Sequence, residues 1–197
     1  SSNILTVFDG TYNTTTISCS GNLNGKIKIT KTASVSLNFN IGTGCVVTAD
    51  TSSAWTFSPG YGYWTSFNIE GEMVISDGIW NLSHTGEANT GGTINNNGKI
   101  THTGNGWTNS RFSLVNNGTI TYATTTLNIG GGLSQNGVFD LTDKIIVFDG
   151  THNPASTISC NGDLGGKIRI NRTVGGNLYF TLAAGCSAVV DNSTAWS

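Results

Sequence analysis

Four cysteines are the residues of this chain whose type and spacing most directly predict chemistry. Cys19 and Cys45 are 26 residues apart, and Cys160 and Cys186 repeat the same gap. A preserved gap favours two equivalent disulfides, which persist in oxidising compartments. Buried free thiols are the alternative, because cysteine also packs well as a small hydrophobe. The absence of a CxxC motif and of a neighbouring histidine argues against a zinc site.

The densest group of carboxylates in the sequence is Glu70, Glu72 and Asp77, in the segment IEGEMVISDG. Clustered carboxylates from adjacent coils serve acid/base chemistry in polysaccharide-cleaving enzymes. The segments that would neighbour this cluster offer asparagine and threonine instead. The pattern therefore favours a solvated acidic patch or weak cation site over catalysis, and we predict no catalytic residue, metal ligand or cofactor.

The other titratable candidates lack a catalytic context. His84, His102 and His152 have no obvious nucleophile or acid partner in sequence, and we expect them at exposed or turn positions. Asp9 and Asp149 occupy the same VFDGT segment in two places, which indicates a turn role.

The composition excludes several classes of function. Only 10% of the residues are charged, the net charge is −2, and there are 27 glycines but 2 prolines. The basic stripe that nucleic-acid binding requires is missing. No apolar run approaches the roughly 20 residues of a membrane helix. A surface covered by neutral hydrogen-bonding groups suits a secreted or cell-surface protein.

The elements that position these residues follow two periods, and the longer one is an internal repeat. VFDGT at 7–11 recurs at 147–151, and after a one-residue insertion 16–55 aligns with 157–196 at a shift of 141. The 40 aligned positions contain 19 identities, including both cysteines. We therefore expect one full repeat unit at 1–140 and the start of a second, continuous unit at 141–197.

A shorter period lies in the middle of the chain. Glycines at 78, 98, 118 and 137 each follow Asp or Asn and precede a short alternating run. Asn-Gly and Asp-Gly tolerate positive φ, which predicts tight turns at a step of about 20 residues. In-register stacking would form side-chain amide ladders. One predicted ladder contains Asn96, Asn116 and Gln135, and the predicted turn ladder contains Asn97, Gly98, Asn117, Gly118, Asn136 and Gly137.

Alternating runs place one face of a strand inward and the other outward. A hairpin meander is an alternative, but the nearly constant step favours a solenoid. We therefore predict an all-β fold, a single right-handed parallel β-helix with coils of about 20 residues and longer or irregular coils near the cysteines. The predicted core positions are Ile27, Ile29, Val35, Leu37, Phe39, Ile41, Ile168, Ile170, Leu178, Phe180 and Leu182.

Runs of the form N-N-G-x-I, repeated at a period of about 20 residues within Thr/Asn/Gly-rich sequence, resemble the parallel β-helix repeats of large secreted bacterial adhesins and surface-fibre proteins. The resemblance covers most of the chain and rests on composition and period. It implies a rigid extracellular stalk or fibre that displays or mediates contacts.

The segment WTFSPGYGYWTSF, at 55–67, is the most aromatic part of the chain. Exposed, its rings would stack on glycans or form an adhesive contact. Buried, they would fill an interface between coils or subunits, which its position at the end of the repeated portion favours. The candidate residues are Trp55, Phe57, Tyr61, Tyr63, Trp64 and Phe67.

Ice binding is a further alternative, because Thr-x-Thr pairs recur along the chain. At the step of the short period, Thr101 stacks on Thr121 but Thr103 stacks on Ala123, which breaks the two-column threonine array. We therefore expect an extracellular structural segment. Both ends fall within repeat sequence rather than cap sequence, so we expect copies of the chain as partners, in a filament or longer chain. Cell-surface glycans are the second partner class considered.

Overall fold

The computed structural model describes residues 4–9, 15–31, 36–58, 63–85, 91–109, 111–149, 156–171 and 180–193. Within these ranges the chain forms 22 β-strands and no helix. The strands assemble into three sheets in which every neighbouring pair is parallel, which confirms the all-β prediction and is consistent with a parallel β-helix.

Between residues 46 and 160, successive strands enter the three sheets in turn, so each sheet is a stack of strands from successive coils. Before this segment the strands alternate between the first and second sheets, and after it they alternate between the third and second sheets. The first sheet contains β1 (Leu5–Phe8), β3 (Asn22–Ile29), β5 (Val46–Ala49), β8 (Glu72–Ile75), β11 (Lys99–His102), β14 (Thr119–Tyr122) and β17 (Val138–Phe139). The second contains β2 (Thr15–Cys19), β4 (Leu37–Ile41), β7 (Trp64–Ile69), β10 (Gly91–Asn96), β13 (Phe112–Asn116), β16 (Leu133–Gln135), β19 (Ser156–Cys160) and β21 (Phe180–Leu182). The third contains β6 (Trp55–Phe57), β9 (Ile79–His84), β12 (Gly106–Asn109), β15 (Thr126–Ile129), β18 (Ile145–Phe148), β20 (Gly162–Ile170) and β22 (Cys186–Val190).

The number of residues in each coil can be counted along the second sheet, because its inward residues form one continuous column. The column runs through Ile17, Phe39, Phe67, Ile94, Leu114, Leu133, Ile158 and Leu182. From Ile17 to Leu133 its steps are 22, 28, 27, 20 and 19 residues, and polar side chains of the same strands bond across the same separations. The two steps beyond Leu133 are again longer. A coil of about 20 residues therefore applies to the two steps in the middle and nearly to the first step, whereas the steps of 28 and 27 residues are clearly longer.

Alternation along the strands builds the core. In β4, Leu37, Phe39 and Ile41 are buried while Asn38 and Asn40 are not. Ile27, Ile29 and Ile168 are also buried, as predicted. The prediction was wrong for Leu182, which is 41% exposed because β21 is the last strand of its sheet.

Two further core predictions hold only in part. Ile170 and Phe180 are half-buried, although Phe180 packs against the core and its ring lies 5.7 Å from that of Phe148. Val35 and Leu178 lie outside the described residues.

The two copies of the repeat pair their strands in the same way where β3 corresponds to β20. Asn22 pairs with Val46 and Lys26 with Thr48, and in the second copy Asp163 pairs with Ser187 and Lys167 with Val189. Each long strand also carries its register irregularity at the equivalent place. In the second sheet the copies differ by a shift of two positions, since Ile17 pairs with Phe39 whereas Ile158 pairs with Leu182.

Candidate interaction surface

The predicted turn ladder is present on the outside of the coil. The Asn136 Nδ2 donates to the Asn117 Oδ1 at 3.0 Å, and the Asn117 Nδ2 donates to the Asn97 Oδ1 at 2.9 Å. The Asn97 Nδ2 then donates to the Glu70 Oε1 at 2.7 Å. The ladder thus extends one coil beyond the prediction and ends on a carboxylate.

A second predicted ladder lies inside the coil. The Asn96 Nδ2 donates to the Asn116 Oδ1 at 2.7 Å, and the Asn116 Nδ2 donates to the Gln135 Oε1 at 3.1 Å. All three amides are less than a tenth exposed. Buried amides need partners, and here each coil supplies one to the next.

A third ladder was missed in the sequence and lies on the outer face of the second sheet. The Asn95 Nδ2 donates to the Asn68 Oδ1 at 2.8 Å, and the Asn68 Nδ2 donates to the Asn40 Oδ1 at 2.8 Å. The Asn40 Nδ2 approaches the Ser18 Oγ at 3.5 Å. In the sequence, an asparagine precedes the last inward position of each of these strands and could have predicted the ladder. It was not recognised because the asparagines are 28 and 27 residues apart instead of about 20.

The glycines of the turn ladder serve a different purpose from the one predicted. Positive φ occurs at Gly78 but not at Gly98, Gly118 or Gly137. A Cβ at Gly98 would overlap the backbone carbonyl of Gly71, and at Gly118 and Gly137 it would overlap the preceding glycine of the stack. Close backbone approach between coils therefore requires these glycines.

The short period was also assigned the wrong first glycine, because Gly78 was predicted to stack below Gly98. Lys99 pairs with Glu72, so Gly98 stacks on Gly71 and not on Gly78. Asp77 and Gly78 belong to another turn, where a Cβ at Gly104 would meet the carbonyl of Gly78.

Half of the predicted aromatic patch is core. Trp55, Phe57 and Phe67 are 0% exposed. Phe67 lies at the centre of the cluster, with ring centroids 5.9 Å from Phe39 and 5.8 Å from Phe112. The rings of Trp55, Phe57 and Phe67 pack between coils and are not available to a glycan.

The remaining rings differ. Tyr63 and Trp64 are 37% and 39% exposed, and Tyr61 lies outside the described residues. The Trp64 indole Nε1 donates to the Thr93 Oγ1 at 3.1 Å, and the ring lies close to Gly91. Trp64 therefore rests on the outer face of the second sheet.

That outer face is neutral and polar. Ser66 and Asn68 alternate with the buried positions of β7. Further along the stack lies an open groove of about 250 Å³. Its lining residues are Ser113, Leu114, Val115, Gly132, Leu133, Ser134, Thr157 and Ser159. The face presents an exposed indole, amides and hydroxyls, the groups that recognise uncharged polar ligands.

The carboxylate cluster is engaged in contacts between coils. Glu72 accepts from the Thr101 Oγ1 at 2.6 Å and the Lys99 Nζ at 3.0 Å, and these bonds lower the pKa of its carboxyl. Asp77 accepts from the Lys26 Nζ at 3.0 Å and the Thr51 Oγ1 at 2.8 Å, which lowers its pKa in the same way. Among the described residues, no three His, Cys, Asp or Glu side chains are grouped to hold a metal ion.

The prediction for the histidines was wrong at both described positions. His84 is 5% exposed and His102 is 0% exposed, because each continues the inward alternation of its strand. The His102 Nε2 lies 2.7 Å from the Gly106 carbonyl, and its ring packs 4.7 Å from that of Tyr122. Burial lowers the pKa of His102. His152 lies outside the described residues.

The threonine pairing considered for ice binding follows the predicted register. Thr101 pairs with Thr121 on one side but with Val74 on the other. Val74 in turn pairs with Thr48. The column of threonines is therefore interrupted by a valine.

Two disulfides fasten consecutive coils. Cys19 is bonded to Cys45 with a Cα–Cα distance of 5.9 Å, and Cys160 is bonded to Cys186 with a distance of 4.9 Å. The four cysteines are thus paired within each repeat copy, as the preserved spacing favoured. Such bonds are typical of a non-reducing environment.

A buried lysine was not anticipated. Lys31 is 0% exposed and continues the inward positions of Ile27 and Ile29. Its Nζ has no hydrogen-bond partner among the described residues, and burial lowers its pKa to about 8. Its backbone bridges Phe57, which places it beside the aromatic cluster.

Within the ranges described, we find no helical segment with the length and hydrophobicity that a membrane crossing requires. Comparisons with protein-family models, curated proteins and solved structures found no match to this chain. The geometry of the described residues is therefore the basis for assigning a function.

Proposed function

We propose that this chain is a structural segment of an extracellular fibre or long surface adhesin, which continues or self-associates end to end. In this proposal the three sheets form a right-handed parallel β-helix, the hand that parallel crossover connections favour. Residues 1–140 form one repeat unit, and 141–197 begin the next.

The observation that carries the proposal is the exposure of apolar side chains on the outermost strands. Leu5 and Val7 on β1 are 45% and 50% exposed, and Val189 and Val190 on β22 are 57% and 54% exposed. Unpaired strand edges of this kind are templates for pairing with another chain. Further coils of the same protein would bury these side chains.

The state of the carboxylates favours a structural role over an enzymatic one. Glu70, Glu72 and Asp77 each accept a side-chain hydrogen bond from another coil. A general acid or base needs a group that is free to exchange protons with a substrate. The two disulfides favour an extracellular location, because reducing compartments do not maintain them.

Electron microscopy and static light scattering of the native material test this proposal. We expect filaments, or particles far larger than a single 197-residue chain. A monodisperse monomer at all protein concentrations would overturn the proposal.

Glycan binding is a second candidate, and the exposed indole of Trp64 beside Thr93 favours it. Indole faces stack on sugar rings, and the adjacent amide ladder offers hydrogen bonds without charge. In a glycan array, Trp64→Ala should abolish binding to neutral polysaccharides. Ile79→Ala, at an apolar residue 50% exposed on the third sheet, is the matched control. Equal signals from both variants would exclude this face.

A further inference from the structure

The internal repeat shows what the apolar strand edges look like when a neighbour covers them. β18 is the second copy of β1, with IIVF in place of LTVF. Both strands use equivalent registers on one side, since Leu5 pairs with Lys26 and Ile145 pairs with Lys167. On the other side β18 pairs with β15, whereas no described residue pairs with β1.

This difference in pairing changes the exposure of the same sequence. Val147 is 6% exposed, whereas the equivalent Val7 is 50% exposed. Phe148 is 2% exposed, whereas Phe8 is only half-buried. The sequence of β1 therefore suits a strand with a neighbour on both sides, but among the described residues it has a neighbour on one side only.

At the opposite end of the stack, the first copy of the repeat has the covered strand and the second copy has the uncovered one. β5 and β22 are equivalent, and β5 is covered by β8 while β22 is the outermost strand of its sheet. Ala49 is 0% exposed, and the equivalent Val190 is 54% exposed. The free edges of β1 and β22 point in opposite directions along the stack, because each is paired only on its inner side.

We propose that the free edge of β22 binds the free edge of β1 of a second copy of this chain, as a parallel, head-to-tail strand pair. This inference rests on the proposed function and names the surfaces that join. Both edges are apolar, and each strand is parallel to its inner neighbour, so each copy supplies the partner strand that the other lacks. Such a heterologous contact leaves a free edge at each end and propagates as a filament.

The proposed register of this joint continues a column of the third sheet of one copy into the equivalent column of the first sheet of the next copy. Leu5, Lys26 and Thr48 form one column, and Ile145, Lys167 and Val189 form its equivalent in the second copy. Continuing the column across the joint places Leu5 of one copy on Val189 of the other. The same step places Thr6 on Val190.

Cysteine cross-linking between two single variants tests the pairing. The four native cysteines are already bonded, so Leu5→Cys in one chain and Val189→Cys in another introduce the only free thiols. Paired Cα atoms of adjacent strands lie within disulfide reach. Mixed under oxidised glutathione, the two chains should give a covalent dimer in about tenfold higher yield than either chain alone, because only unlike edges pair.

Val7→Cys mixed with Val189→Cys is the matched control, since a shift of two positions moves the thiol about 7 Å along the strand. Equal yields with Val7→Cys, or a dimer from Leu5→Cys alone, would overturn this register and polarity. If the unmodified chain forms filaments but the mixture does not cross-link, the joint is wrong and the fibre proposal stands. If the chain stays monomeric in light scattering, both fail.

Discussion

The coils around Phe67 and those around Leu114 belong to the same stack but have different cross-sections. The second sheet advances by 28 and 27 residues on either side of Phe67, and by 20 and 19 residues on either side of Leu114. The larger coils enclose an aromatic cluster. The smaller coils continue the buried rings with Trp107, Phe112 and Tyr122, and they also enclose a line of hydrogen-bonded amides.

The aromatic cluster fills the wide part of the stack with few side chains. The Phe67 centroid lies 5.9 Å from that of Phe57, 6.0 Å from that of Trp55 and 6.3 Å from that of Trp80. Aromatic rings bury roughly 150–250 Å² each, and tilted or edge-on neighbours at these distances fix one another's orientation. These rings therefore fill much of the wide part of the stack.

The narrow part of the stack uses hydrogen bonds to set the distance between coils. Asn116 donates both to Gln135 and, at 3.4 Å, to the carbonyl of Val138 in the next coil. Asn96 makes the equivalent second contact to the carbonyl of Thr119 at 3.2 Å. Both parts of the stack therefore bury rings, and the narrow part adds hydrogen bonds between buried amides.

Removing the central ring should have the largest effect. Phe67→Ala leaves a cavity among five other rings, and we expect a loss of about 4 kcal/mol in the free energy of unfolding. Urea denaturation followed by tryptophan fluorescence measures it. Phe67→Leu is the control and should cost less than half as much, and a loss below about 1 kcal/mol for Phe67→Ala would contradict the packing account.

Replacing the buried lysine should have the next largest effect and the opposite sign. The pKa of Lys31 is about 8 in the folded chain and 10.5 in its ordinary state, so the unfolded chain binds more protons between these values. The free energy of unfolding should therefore rise from pH 8 towards pH 10.5.

Lys31→Met should abolish that rise and stabilise the fold at pH 7 by roughly 2–3 kcal/mol, because no charged amine is then buried. Denaturant titrations across the pH range measure both effects. Lys167→Met, at an exposed lysine, is the control and should leave the pH profile unchanged. Destabilisation by Lys31→Met would show that the amine has a stabilising partner.

Breaking the inner amide ladder should weaken the narrow coils. Asn116→Ala removes one of the two acceptors of the Asn96 Nδ2 and the side-chain donor to Gln135, with an expected loss of about 2 kcal/mol. Asn117→Ala, in the neighbouring exposed ladder, is the matched control. Equal losses in thermal or denaturant unfolding would show that burial of the amides is unimportant.

The outer ladder of the second sheet should contribute least. Asn68→Ala removes two hydrogen bonds, but water can replace them at this partly exposed position, and we expect a loss below about 1 kcal/mol. Calorimetric melting temperatures compared with those of Asn116→Ala test the ranking. A larger loss for Asn68→Ala would reverse the contrast between outer and inner amides.

The fold was largely predictable because alternation and duplication are written directly into the sequence. The inward stripe of Leu37, Phe39 and Ile41 follows from strand periodicity alone. The disulfide pairing follows from the duplicated spacing, and the amide ladders follow from the short period wherever its step is constant.

Coil length and residue environment were less predictable. A glycine needed for close backbone approach, such as Gly98, has the same sequence context as one needed for positive φ, such as Gly78. Because of that ambiguity, Gly98 was predicted to stack on Gly78 instead of Gly71. The burial of His102 was missed because histidine is polar and was expected at the surface, although its position on β11 points inward. In the structure the ring packs against Tyr122 and lies within hydrogen-bond distance of a backbone carbonyl.

X-ray fibre diffraction of aligned native material tests the central claim most directly. If the chain continues end to end as a stack of parallel coils, its strands lie perpendicular to the fibre axis. We then expect a meridional reflection at about 4.8 Å, the spacing of neighbouring strands. Material that does not align, or the same reflection on the equator, would contradict end-to-end continuation.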